Sequence, residues 1–257
     1  MKREPRPIPM DRIDAVLFDL DGTLIESDDH WVEKVAARLA FVRHLPFHPN
    51  PTALARWLVM AGETPSNYAL LAMEHLGLGT SFFGLADKLR RSRGLATRDR
   101  APIVAGSDVL LRTLAARYRL AVVTTRARAE AMAFLECGGL GPFFEAVITR
   151  QEVLRLKPHP EPIRTAARLL NTVPERCLMI GDTVNDVLAA RRAGAYAIGV
   201  LSGFGTHSEL ERAGADLILG RAADLLCHPT WTQGLAPLSP ATPGVPCPGL
   251  LAGRETP

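Results

Sequence analysis

The chain has 257 residues, enough for one large domain or for a core domain with a smaller insert. Apolar residues make up 47% and charged residues 22%, which excludes general disorder and supports a sizeable buried core. The net charge is only +3, and the densest basic group (Arg90, Arg91, Arg93, Arg98 and Arg100) has no interleaved aromatics, which argues for a solvated helix end and against a nucleic-acid surface.

Residues 1–12 form a basic N-terminal extension, with Lys2, Arg3 and Arg6 set among Pro5, Pro7 and Pro9. The apolar run 13–25 carries Asp14, Asp19 and Asp21, which no signal-peptide core tolerates, and no stretch is long enough to cross a bilayer. Cys137, Cys177, Cys227 and Cys247 make no C-x-x-C pair and suggest neither a zinc site nor a dense disulfide framework. These features predict a cytoplasmic protein with no membrane partner. Oligomeric state is not written in the sequence.

Short apolar runs predict buried strands at 15–18, 120–123, 146–148, 177–180, 196–200 and 217–219. Amphipathic patterns between them predict helices at 108–118, 127–137, 161–170, 184–193 and 207–213. Gly194 stands where a helix C-terminal glycine belongs, and Thr206 with Glu209 forms a capping-box signature. Strands alternating with helices predict an α/β fold, a doubly wound parallel sheet with a Rossmann-like core.

The alternation breaks once, over 26–100. That stretch holds helical patterns cut at Pro46, Pro49, Pro51, Gly62, Pro65, Gly77 and Gly79, the first with a stripe of Val32, Val35, Leu39 and Val42. It predicts an inserted α-helical cap hinged near Ile25 and Ala101, in which Trp31, Trp57, Phe82 and Phe83 serve as cap core or line a substrate pocket. The catalytic core is then discontinuous, 13–25 plus 101–226. Residues 227–257 turn to Pro, Gly, Ser and Thr and predict a disordered tail.

The chemistry concentrates at strand ends. In Phe18-Asp19-Leu20-Asp21-Gly22-Thr23, two carboxylates spaced by one residue leave the end of the first strand on the same side. In an open α/β sheet, ligands bind beyond the carboxyl ends of the strands. Such a pair suits phosphoryl transfer, one carboxylate attacking phosphorus and the other handling the proton. Gly22 permits a turn and close backbone approach to a phosphate. Carboxylates this close repel unless a cation joins them. After the strand at 177–180, Gly181-Asp182-Thr183-Val184-Asn185-Asp186 supplies two more, Asp182 at the strand end and Asp186 one helical turn on. Hard oxygen ligands of this kind suit Mg²⁺.

Two further pieces complete the set. Thr124 ends the strand at 120–123, and its hydroxyl suits a phosphate oxygen; Thr125 follows it, and either threonine is a candidate donor. Lys157, before Pro158 and the helix near Pro160, offers a positive charge to a phosphoryl group and to the carboxylates. Arg126 reads equally as a substrate contact or a surface residue, His159 as a loop residue between prolines, and Gly203-Phe204-Gly205 as too short for a nucleotide-binding signature.

These four signatures, in this order, resemble the haloacid dehalogenase-like hydrolases, over roughly 13–226. The helical segment after the first motif, the Lys157-Pro158-His159-Pro160 run and the stretch 202–210 resemble the phosphoglycolate phosphatase-like and β-phosphoglucomutase-like branch. The resemblance implies that Asp19 is the nucleophile and a magnesium ligand. Asp21 is then the general acid/base, with its carbonyl on the metal; Asp182 is a metal ligand; and Asp186 is a ligand or holds a metal-bound water. Thr124, Lys157 and Gly22 then bind the substrate phosphate.

The expected activity is Mg²⁺-dependent hydrolysis of a phosphate monoester on a small metabolite through an aspartyl-phosphate. The alternatives are a phosphosugar mutase of the same branch and a non-catalytic binding or regulatory protein on the same fold. A dehalogenase or a phosphonate hydrolase is disfavoured, because neither gives Asp21 a role.

Overall fold

The computed structural model describes residues 5–26, 37–38, 102–229 and 231. Six strands form one sheet, all parallel: β1 (Ala15–Phe18), β2 (Arg119–Val123), β3 (Ala146–Ile148), β4 (Cys177–Gly181), β5 (Tyr196–Val200) and β6 (Leu217–Leu219). Their spatial order is β3-β2-β1-β4-β5-β6, so the sheet reverses its winding between β1 and β4. Between the strands run α1 (Ser107–Ala115), α2 (Arg128–Cys137), α3 (Glu161–Leu169), α4 (Val184–Ala193) and α5 (His207–Ala213). The doubly wound parallel sheet expected from the alternation is the fold observed. No helix among the described residues is long and apolar enough to cross a membrane.

Apart from Arg119 at the start of β2, the strands read as apolar runs because both faces of the sheet are covered. Val16 and Phe18 of β1 pack with Leu110, Leu111 and Leu114 of α1 and Phe134 and Leu135 of α2. Ala15 and Leu17 face the other way, into a second cluster with Ile163 and Ala166 of α3 and Val187 and Ala190 of α4. The period-two alternation of a strand thus feeds two cores at once. Helix α4 ends at Gly194, whose φ of 95° is the left-handed conformation expected of a helix-terminating glycine. Thr206 and Glu209 start α5 as a capping box, Glu209 accepting from the Thr206 amide at 3.1 Å and from its hydroxyl at 2.7 Å.

Helix α1 stops three residues short of the expected 118. Tyr118 folds into the first core instead and donates its hydroxyl to the Met10 carbonyl at 3.1 Å, as the chain turns to pair Arg119 with Ala15.

Both ends of the core reach further than the sequence suggests. Ile8 and Met10 are buried in the first cluster, and Arg6 donates to Asp216 from Nε at 3.0 Å and from NH2 at 2.9 Å. Arg191 reaches the same carboxylate at 2.6 Å, so Asp216 ties the N-terminal segment to α4 and β5. At the other end Trp231 is buried against Tyr118, ring centroids 6.0 Å apart.

The chain leaves the sheet at Glu26 and returns at Pro102 through one point. Ile25 bridges Ile103, Glu26 N–H donates to Pro102 O and Val104 N–H to Leu24 O, both at 2.9 Å. Apart from Glu26, Ala37 and Arg38, the segment 26–100 lies outside the described residues, with the Val32–Val35–Leu39–Val42 stripe, Trp31, Trp57, Phe82, Phe83 and the basic group at Arg90–Arg100. Ala101 and, save Trp231, the tail beyond Pro229 also lie outside them.

Candidate active site

The winding reversal between β1 and β4 leaves a crevice beyond their carboxyl ends, where two outgoing loops diverge. Asp19 leaves β1 there, its amide donating to Ile180 O at 2.9 Å, and Asp182 leaves β4 beside it. Asp186 lies in the first turn of α4. Carboxylate oxygens of Asp19, Asp182 and Asp186 lie within 4.8 Å of one another, and all three residues are buried.

Lys157 enters this cluster from the loop before α3. Its Nζ donates to Asp186 Oδ1 at 2.6 Å, lies 2.9 Å from Asp19 Oδ1, and donates to the Val123 carbonyl at 2.9 Å. One ammonium thereby joins the ends of β1 and β2 and the start of α4. Burial alone would lower the Lys157 pKa, but Asp186 and Asp19 more than reverse this, and the group is held protonated. Burial pushes Asp19 up to about 8; Lys157 opposes the shift, and the charges of Asp186 and Asp21 add to it. Asp182 is raised well above the usual carboxylate range, by burial first and then by Asp19 and Asp186. A single lysine does not offset three buried carboxylates.

The oxygens are unequally engaged. Asp186 Oδ2 accepts from the Thr183 amide at 3.0 Å and hydroxyl at 2.6 Å, closing a capping box that starts α4. Asp182 Oδ2 accepts from the Phe204 amide at 2.8 Å, whereas Asp182 Oδ1 is buried with no hydrogen-bond partner among the described residues. An orphaned buried carboxylate oxygen costs stability in proportion to its lost solvation. With the two neighbouring carboxylates it makes a set of hard oxygen donors that could hold a divalent cation, and these residues fit Mg²⁺.

Small residues make the room. A β-carbon on Gly22 would stand 2.5 Å from Asp182 Oδ2, and one on Gly181 would stand 2.4 Å from Asp186 Cγ. Gly22 also takes φ +69°, which turns the chain back after Asp21, and its carbonyl accepts the Ser202 hydroxyl at 2.6 Å. Thr124, buried at the end of β2, accepts the Arg126 amide on its hydroxyl oxygen at 3.2 Å, while Thr125 is only half-buried. Strand register sets Phe18 opposite Val122, so Thr124 emerges beside the loop that carries Asp19.

The expected site residues thus gather at one place. Asp19, Asp182, Asp186 and Lys157 are in direct contact or within one cluster, Gly22 packs on Asp182, and Thr124 follows the carbonyl that Lys157 holds. Asp21 stands apart from the lysine and is gripped by Arg126, whose Nε donates to Oδ2 at 2.6 Å and whose NH2 donates to Oδ1. His159 stays in its loop, where its Nδ1 accepts the Glu161 amide at 3.2 Å.

The sequence leaves Arg126 undecided, offers Gly203-Phe204-Gly205 only as too short a nucleotide-binding signature, and gives Thr183 no role. The position of Arg126 two residues past a motif threonine was the available signal. Thr183-x-x-Asp186 could have been read as a capping box, since an aspartate at the third helical position can replace the usual Glu.

A family model, haloacid dehalogenase-like hydrolase, matches residues 13–194. The chain belongs to the haloacid dehalogenase-like hydrolases. As a member of that family it is a hydrolase of the phosphatase type, as the four motifs predicted. Among curated relatives it is similar to "Pyrophosphatase PpaX" of Bacillus velezensis, 30% identical over 84% of this chain and 95% of the relative. Among solved structures it is similar to a haloacid dehalogenase family hydrolase of Deinococcus radiodurans described with bound phosphate and sodium. That match has a TM-score of 0.61 and 28% identity, over 88% of this chain and 99% of the other. A predicted phosphoglycolate phosphatase from Haemophilus somnus shares the fold, with a TM-score of 0.59 and 22% identity over 84% of this chain and 97% of the other.

Proposed function

We propose that this hydrolase cleaves phosphate monoesters of small metabolites in a Mg²⁺-dependent reaction through a phosphorylated Asp19. The observation that carries the reading is the buried Asp19–Asp182–Asp186 cluster beside Lys157, with Asp182 Oδ1 left without a partner among the described residues.

Asp19 attacks phosphorus, the ester P–O bond breaks, and Asp21 gives its proton to the leaving oxygen. A water then returns a proton to Asp21 and attacks the phospho-aspartate, releasing phosphate and restoring Asp19. Lys157 stays protonated throughout and attracts the phosphoryl oxygens, while Thr124 and the backbone around Gly22 donate to them. Asp19, Asp182, Asp186 and the Asp21 carbonyl would hold Mg²⁺, which when bound neutralises the carboxylates and the phosphoryl charge. The insert 26–100, whose two ends leave the core together at Ile25 and Ile103, acts as a cap that admits fitting substrates and excludes bulk water.

The test is phosphate release from a panel of small phosphomonoesters, with and without Mg²⁺, alongside Asp19→Asn. Metal-dependent release that the substitution abolishes supports the reading; release that persists in Asp19→Asn removes Asp19 from the mechanism. Inorganic pyrophosphate belongs in the panel, since the name of the Bacillus velezensis relative favours it as a second substrate. Isomerisation of a sugar phosphate without phosphate release would identify a mutase instead.

A further inference from the structure

Asp21 and Arg126 leave adjacent strands, 105 positions apart in sequence, and meet through two parallel hydrogen bonds. The Arg126 side chain is the more deeply placed partner, 15% exposed against 33% for Asp21. It is pinned from several sides. The guanidinium carbon lies 4.4 Å from the centre of the Phe134 ring, and NH1 lies 3.6 Å from Glu130 Oε2. Its amide donates to Thr124 Oγ1 at 3.2 Å, and its carbonyl accepts the Arg150 amide at 3.3 Å.

We infer that Arg126 is the positioning residue that orients the Asp21 carboxylate for proton transfer, an inference resting on the acid/base reading of Asp21. A guanidinium fork fixes both the direction and the plane of a carboxylate, which a lysine does not. Asp21 needs such a partner, because it sits in a turn and is one-third exposed, whereas Asp19, Asp182 and Asp186 are locked by burial. Arg126 also ties that orientation to Thr124 through its own amide, so the proton-transferring group and the candidate phosphate donor share one scaffold. Proton transfer requires one Asp21 oxygen to turn towards the substrate while the other stays on Arg126.

The experiment compares kcat/KM for an alkyl phosphate, whose leaving group needs a proton, with that for p-nitrophenyl phosphate, whose leaving group does not. Asp21→Asn should depress the alkyl value far more than the aryl value. Arg126→Ala should show the same split, losing about 10²-fold on the alkyl ester with a clearly smaller loss on the aryl ester. The double variant should be no worse than Asp21→Asn alone. Arg126→Lys, which keeps the charge without the fork, covers the case in which the alanine variant does not fold, and should show the split in weaker form. Equal losses on both esters, or none on either, in the Arg126 variants would overturn the inference while leaving the role of Asp21 standing. Absence of the split in Asp21→Asn itself would remove the acid/base reading and the inference with it.

Discussion

Gly203 abuts Asp182 so closely that a β-carbon on the glycine would lie 1.9 Å from the carboxylate oxygen Oδ2. That oxygen accepts the Phe204 amide at 2.8 Å, and the Gly205 amide donates to the Asp182 carbonyl at 3.0 Å. The loop after β5 is therefore the back wall of the acidic cluster, and its shape decides where Asp182 points.

Gly203→Ala is expected to displace Asp182, costing about 1–3 kcal/mol of stability as an overpacked site and about 10²-fold in turnover. The Mg²⁺ concentration needed for half-maximal activity should rise as well. A metal titration of phosphate release, beside a thermal melt, checks both; unchanged metal dependence would separate the loop from the site.

Lys157→Met removes the one cation among the described residues that touches both Asp19 and Asp186. Breaking a buried ion pair from one side costs about 3–5 kcal/mol, so the variant should melt well below the parent in chelator and show no turnover. Mg²⁺ should recover more of its melting temperature than it adds to the parent, because the cation then supplies the missing charge.

The pH dependence of stability follows from the raised carboxyl groups. With its folded pKa near 8, Asp19 keeps a proton that the unfolded chain has already lost, and Asp182 is shifted the same way. The folded state therefore binds more protons between the ordinary carboxylate range and pH 8, and metal-free stability falls as pH rises through that window. Bound Mg²⁺ favours the ionised carboxylates and should flatten the fall, so the metal-induced gain in melting temperature should grow with pH. Melts from pH 5 to 8, with Mg²⁺ and with chelator, test the sign; a gain that shrinks with pH would contradict it.

Deleting residues 1–12 removes Arg6 from Asp216 and Ile8 and Met10 from the first core. Burial of each apolar side chain contributes about 1.5–3 kcal/mol, so the shortened protein should lose about 3 kcal/mol or more in a denaturant titration. A variant as stable as the parent would show this segment to be dispensable to the core.

The main features of the fold were legible because they depend on local pattern. Apart from Arg119 at the start of β2, the strands from Ala15–Phe18 to Leu217–Leu219 are apolar runs, as burial on both faces requires, and lie between helical periods. Ile8 and Met10 escaped notice because isolated apolar residues among prolines carry no period. Their burial depends on Tyr118 and Asp216, more than a hundred positions away.

By itself the sequence determined which acidic groups stand at the strand ends beside the crevice. Asp19, Asp21, Asp182 and Asp186 are recognisable because short spacings after a strand place carboxylates together without help from the rest of the chain. Only the tertiary structure decided how their charges are arranged. Lys157 lies between Asp19 and Asp186, Arg126 closes on Asp21, and Gly203 backs Asp182, contacts across 21 to 138 positions of chain. Such contacts arise from the packing of separate strand ends at the winding reversal, and no local spacing encodes which distant side chain will meet a buried charge there.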